Sequence, residues 1–136
     1  MIKNSAMISE ITGRDFNEQV LKSKLPVFTC FVARWCHSCF PTCFLADELA
    51  EKYYGKIRFV RIDAEKNSEI RAKYHVIALP SMILFQDSQP VNRLLGYQER
   101  GTLRDLLDTL LAERQTSTST FNQDDEKTKG DQSDSP

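Results

Sequence analysis

Trp35-Cys36-His37-Ser38-Cys39 closes the segment Leu25-Pro26-Val27-Phe28-Thr29-Cys30-Phe31-Val32-Ala33-Arg34, and the order of these two stretches decides the architecture. The residues before Trp35 are mostly apolar, β-branched or aromatic, the pattern of a strand buried on both faces. Two cysteines separated by two residues follow at once, and then a helix-like stretch. That order sets a pair of thiols where a strand hands over to a helix N-terminus. Unsatisfied amides and the positive dipole end favour a thiolate there. A thiolate beside a second thiol, at a spacing that lets the two join, is a unit for thiol–disulfide exchange.

The chain around this unit has 136 residues, 40% hydrophobic and 27% charged, enough for one domain with a core that needs no staples. A net charge of −1 gives no reason to expect nucleic acid or a membrane surface as partner. The charge is unevenly spread. Asp124, Asp125, Glu126, Asp131 and Asp134 against Lys127 and Lys129 leave residues 115–136 at −3 and the rest at +2. Met1 to Ile8 contains no continuous apolar run, so no signal peptide is expected, and no stretch approaches the ~18 apolar residues of a membrane span. Three of the four cysteines fall within residues 36–43. In a reducing compartment such clusters are catalytic or metal-binding rather than staples, which places the protein in the cytoplasm.

Taken in order, Met7 to Ile11 reads as a first strand and Asp15 to Leu21 as a helix with Phe16, Val20 and Leu21 on one face. Pro26 opens the buried strand. Phe40 to Tyr53 reads as a long helix with Phe44, Leu45, Leu49 and Ala50 inward, ended by Gly55. Ile57 to Asp63 alternates as a strand, and Ser68 to Tyr74 forms a short helix. Pro80 to Phe85 is a strand with proline only at its first position. A turn over Gln86 to Pro90 leads into a strand from Val91 to Leu95. Leu103, Leu106, Leu107, Leu110 and Leu111 then repeat with helical period. From Gln115 the composition is polar, so the expected layout is a globular domain over 1–114 and a disordered acidic tail over 115–136. The β-α-β-α-β-α-β-β-α order implies an α/β fold, a mixed central sheet with helices on both faces.

Taken together, these residues resemble the thioredoxin family over about residues 7–113. The resemblance rests on Trp35-Cys36-x-x-Cys39 after a buried strand, Val60-Arg61-Ile62-Asp63 closing a later one, Tyr74 to Ser81 around Pro80, and Gly96 after the last strand. It implies a thioredoxin fold and a thiol–disulfide oxidoreductase acting on protein disulfides, with no bound cofactor. Carried over by position, Cys36 resembles the attacking cysteine, exposed, and Cys39 the more buried resolving one. Trp35, Leu79 and Pro80 would form the substrate-binding surface, with Leu79-Pro80 cis against the sulfurs. A disulfide reductase or thiol pool would regenerate the dithiol, and the protein would act as a monomer.

The departures from the family pattern are specific. His37-Ser38 stands where Gly-Pro is common, and a protonated His37 would favour the Cys36 thiolate and a more oxidising disulfide. Cys30 stands where a buried aspartate is usual, and Phe59 where that aspartate's lysine partner is expected. The buried proton acceptor for the resolving thiol is therefore missing. Pro41 comes three residues before the position of the family's helix-kinking proline, which Phe44 occupies.

The other chemistry-bearing residues have plainer readings. Cys30 reads as a small buried hydrophobe, and Cys43, i+4 from Cys39, as core packing on the same helical face. His37 is open between a solvated polar residue and a tuning one. His75 and Arg34 read as solvated, and the leucines of 103–111 as core. Two other functions compete. Cys30-x5-Cys36-x2-Cys39-x3-Cys43 could supply four thiols to a metal or iron–sulfur cluster, although Cys30 lies inside a strand and Pro80 would crowd the pair. A non-catalytic interaction domain with a vestigial site is the third reading, against which the intact cysteine pair and Pro80 both stand.

Overall fold

The central strand is β2, Val27–Val32, buried at all six positions, as its unbroken apolar run requires. The computed structural model describes residues 8–123, with side chains described up to Arg114. Met7, expected to open the first strand, lies outside the described residues. The remaining strands are β1 Ile8–Ile11, β3 Arg58–Asp63, β4 Ser81–Gln86 and β5 Gln89–Leu95, and the sheet order is β1-β3-β2-β4-β5. β3 is parallel to both β1 and β2, whereas β4 is antiparallel to β2 and to β5. The mixed sheet follows from the connections. A parallel pair needs a long crossover, here the helix α2, Cys39–Lys52, while two residues suffice between β4 and β5.

Alternation sorts the sheet into two faces. Val27 and Phe31 of β2, Val60 and Ile62 of β3, and Ile83 and Phe85 of β4 share one core cluster with Phe16 and Val20. Those last two come from α1, Gly13–Phe16, and the π-helical turn Asn17–Leu21 that continues it. The expected single helix from Asp15 is thus longer and changes pitch midway. Gly13 is closely approached there, since a Cβ on it would meet Ile70 Cγ1 at 3.1 Å. The opposite face carries Phe28, Cys30, Phe59, Arg61, Met82 and Leu84, set in register across β2, β3 and β4. Phe28 and Phe59 stack there at 4.9 Å between centroids. α2 covers this face, with Cys43 beside Cys30 and Arg61.

Leu45, Leu49 and Ala50 of α2 are buried as expected, but Phe44 is not. It is 55% exposed, a correction explained by helix geometry. Cys39, Thr42, Cys43, Ala46 and Leu49 are buried together and define the inward stripe, which leaves Phe44 turned away. Pro41 falls in the first turn of α2, where its missing N–H would have had no intrahelical partner anyway.

The short helix α3, Ser68–Lys73, buries none of its residues. Asn67 just before it accepts from the Gly13 N–H at 2.7 Å and donates to the Asp63 carbonyl at 2.8 Å, tying the β3–α3 connection to the start of α1. The β4–β5 turn is tighter than expected. Asp87 and Ser88 both take positive φ, 53° and 70°, the signature of a type I′ hairpin. Pro90 therefore lies within β5, an edge strand where a missing N–H costs no ladder bond.

The chain divides into two compact units between Glu99 and Arg100. The second holds α4, Arg100–Gln123, in which Leu103, Leu107 and Leu110 are buried. The helix runs past Arg114, the expected domain boundary, to Gln123. Side chains beyond Arg114 and the whole of 124–136, the bulk of the expected acidic tail, lie outside the described residues.

Candidate redox site

Where β2 ends, three successive turn bonds shape the chain. The Cys36 N–H donates to the Ala33 carbonyl at 3.2 Å, the Cys39 N–H to the Cys36 carbonyl at 3.1 Å, and the Phe40 N–H to the His37 carbonyl at 3.2 Å. They bring the Cα atoms of Cys36 and Cys39 to 5.3 Å, within the span of a disulfide, and the two sulfurs are bonded. Cys39 opens α2 and is fully buried, while Cys36 keeps 5% of its surface. Cys36 is the more accessible of the two, but the expectation that it is exposed needs correcting. The bond to Ala33 folds it back toward the end of β2, so only an edge of the residue reaches solvent.

The neighbours of the disulfide divide by exposure. Trp35 is 58% exposed, and its indole N–H donates to the Glu65 carboxylate. Glu65 is itself held in the turn after β3, its N–H donating to Asp63 Oδ1 at 2.9 Å. His37 and Ser38 are exposed, and the Ser38 hydroxyl lies 3.5 Å from Cys36 Sγ. The Leu79–Pro80 peptide bond is cis. Pro80 is buried, and its carbonyl accepts from the Gly96 N–H at 2.8 Å. Leu79 is half-buried and packs on the core cluster, while Ile77, two residues before it, is 83% exposed.

The remaining two cysteines are free thiols, both buried. Burial pushes the Cys30 thiol far above its ordinary value, helped by Cys43 and opposed by Arg61. Burial likewise raises Cys43. The charge and hydrogen bond of Arg61 pull it down, while Asp47 and Glu10 push it up. Both are neutral at physiological pH. Arg61 was missed in reading the sequence. Phe59 and Arg61 share a strand parity, so an inward-facing charge is legible in principle, although the resemblance gives Arg61 no role beyond closing its strand. Glu65 was missed too, since no local pattern ties it to Trp35.

With Cys36 and Cys39 joined to each other, Cys30 and Cys43 are the remaining thiols. Among the described residues no group of three or more His, Cys, Asp or Glu side chains could hold a metal ion. An open groove of about 760 Å³, lined in part by Glu10, Thr12, Asp15, Asp63, Lys66 and Glu69, contains neither sulfur of the disulfide. Among the described residues no helix is long and apolar enough to cross a membrane.

The thioredoxin family model matches residues 7–109. A thioredoxin of Staphylococcus aureus is 35% identical over 101 residues, 74% of this chain and 95% of that protein. Thioredoxin 1 of a Nostoc species is 30% identical over 100 residues, 74% of this chain and 94% of that protein. A bifunctional thioredoxin reductase/thioredoxin of Mycobacterium leprae is 34% identical over 109 residues, of which this chain spans only 24% of the length. With its sheet order, its disulfide at the head of α2 and these matches, the chain belongs to the thioredoxin family and is a thiol–disulfide oxidoreductase.

Proposed function

We propose that Cys36 is the attacking thiol and Cys39 the resolving one. The observation that carries this is the disulfide at the start of α2, with Cys39 fully enclosed and Cys36 at its accessible edge. In the reduced chain the Cys36 thiolate attacks one sulfur of a protein disulfide and expels the other as a thiolate, giving a mixed disulfide. Cys39 then attacks Cys36 Sγ, releases the substrate's second thiol and closes the Cys36–Cys39 bond. Two electrons pass to the substrate, and a reductase or thiol pool returns them.

Trp35, Leu79 and Pro80 form the substrate-binding surface in this reading, supported by the exposed indole of Trp35. His37 and Ser38 tune Cys36, supported by the Ser38 hydroxyl beside its sulfur. A cytoplasmic location is supported by the two free buried thiols, Cys30 and Cys43, which suit a reducing compartment, and the protein acts as a monomer in this reading.

Reduction of insulin driven by dithiothreitol tests the roles. Cys36→Ser abolishes turnover, and Cys39→Ser accumulates a mixed disulfide with the substrate. Full activity in Cys36→Ser would sink the assignment.

A further inference from the structure

One row of residues crosses four strands on the α2 face of the sheet. Glu10 of β1 stands opposite Arg61 of β3, Arg61 opposite Cys30 of β2, and Cys30 opposite Met82 of β4. Arg61 is 6% exposed. Its Nη2 lies 3.6 Å from Glu10 Oε1, a carboxylate 58% exposed at the edge of the row. Its Nη1 is buried with no hydrogen-bond partner. The guanidinium also meets the Cys43 thiol, a neutral group. Enclosing a charge with one donor unused is costly, and such a group in a native fold calls for an explanation.

Cys43 stands one turn beyond Cys39 on the inward stripe of α2. The guanidinium reaches Cys43, and side chains one turn apart on a helix stand about 5–6 Å apart at Cβ. A charge about 10 Å away shifts an ionisation by about tenfold at an effective dielectric of about 20. The disulfide is neutral and gains nothing from the charge. Reduction changes this. Two electrons and two protons convert it to two thiols at acid pH. Above the lower thiol pKa, two electrons and one proton give a thiol and a thiolate. We infer that Arg61 is a positioning residue for the exchange reaction, its buried charge stabilising the thiolate of the reduced Cys36/Cys39 pair. The positive charge stands opposite Cys30 in the sheet register.

This rests on Cys36 and Cys39 being the redox pair. The other titratable or charged groups around the cluster are Glu10 on β1, Cys30 on β2, and Cys43 and Asp47 on α2. Glu10 opposes the effect of Arg61, and its removal therefore acts with the opposite sign.

The test uses the full chain as wild type, Arg61→Met, Arg61→Lys and Glu10→Gln. Thiolate absorbance of the reduced protein is followed against pH, with the Cys36→Ser/Cys39→Ser double variant subtracted to isolate the pair, together with equilibration against glutathione and the melting temperature. Arg61→Met raises the lower pKa of the pair by about one unit. It also shifts the glutathione equilibrium about tenfold toward the disulfide, a potential about 30 mV more negative. The gap closes at acid pH, where both thiols are protonated, which a purely structural role would not produce. Arg61→Lys retains most of the wild-type titration, and Glu10→Gln lowers the pKa by a smaller amount. Coincident titrations of wild type and Arg61→Met overturn the inference. If Arg61→Met does not fold, Glu10→Gln decides: an acid shift supports the role and an unmoved curve overturns it. A wild type without disulfide-reducing activity, or an active Cys36→Ser, instead overturns the assignment of the pair, whatever Arg61 does.

Discussion

The indole N–H of Trp35 donates to the carboxylate of Glu65, thirty positions further along the chain. The bond spans from the loop before the disulfide to the turn after β3, and it holds a side chain that is otherwise 58% exposed. A large aromatic fixed beside a reactive sulfur loses little rotamer entropy when a partner docks on it. An exposed hydrogen bond to a charged group contributes about 1 kcal/mol, which sets the scale of its effect.

Glu65→Ala therefore leaves Trp35 free to turn. Trp35 is the single tryptophan in the chain, so the change is read directly as lower steady-state fluorescence anisotropy. The KM for a protein disulfide rises about three- to fivefold, as ~1 kcal/mol implies, while kcat is held. A kcat that falls with KM unchanged would show that the bond acts on the chemistry rather than on docking.

Two neighbours on α2 should respond oppositely to substitution. Phe44 is 55% exposed and Leu49 is 2% exposed. Phe44→Lys changes unfolding free energy by less than about 0.5 kcal/mol. Leu49→Ala loses about 2–5 kcal/mol through lost burial and the cavity left behind. Urea unfolding of both variants checks the pair. A large loss in Phe44→Lys would mean that this ring is covered in solution.

The buried thiols make stability depend on alkaline pH. The pKa of Cys30 is raised by burial, so the folded state holds this proton more tightly than the unfolded chain does. Its contribution is complete below the unfolded thiol value, about 8.5. It then declines as pH rises further, at about 1.4 kcal/mol per pH unit. Cys43 is raised by burial too, with Arg61 working against it, and it adds a slope of the same sign. Cys30→Ala should flatten the fall in stability between about pH 8.5 and 10.5. An identical slope in that variant would show that Cys30 is not the group being titrated.

Much of the fold was legible because the strongest patterns are local. β2 announces itself as an unbroken apolar run, α4 as a leucine repeat at helical spacing, and the cysteine pair as two thiols between a strand and a helix. The errors came from residues whose placement depends on a neighbour. Phe44 is apolar and sits in a helix, but the inward stripe runs through Cys39, Cys43 and Ala46, and a ring off that stripe has no core to enter. Cys36 was expected at the surface because its surroundings are polar, yet a single backbone bond to Ala33 withdraws it. Asp87-Ser88 does not carry the usual Asn-Gly of a type I′ turn. The pairing of Gln86 with Gln89 across it imposes positive φ on both residues.

The sequence by itself determined the kind of chemistry and the order of elements, because a dithiol at a strand–helix junction and the periodicity of its flanks are properties of adjacent residues. Tertiary structure alone decided what lies beneath α2. Glu10, Arg61 and Cys30 are far apart in the chain and become neighbours only when β1, β3 and β2 align in register. Whether a charge is screened or enclosed depends on every element packed around it, and the resulting field acts through space rather than along the chain. That is why an arginine in an ordinary-looking strand becomes a buried cation only once the sheet is assembled.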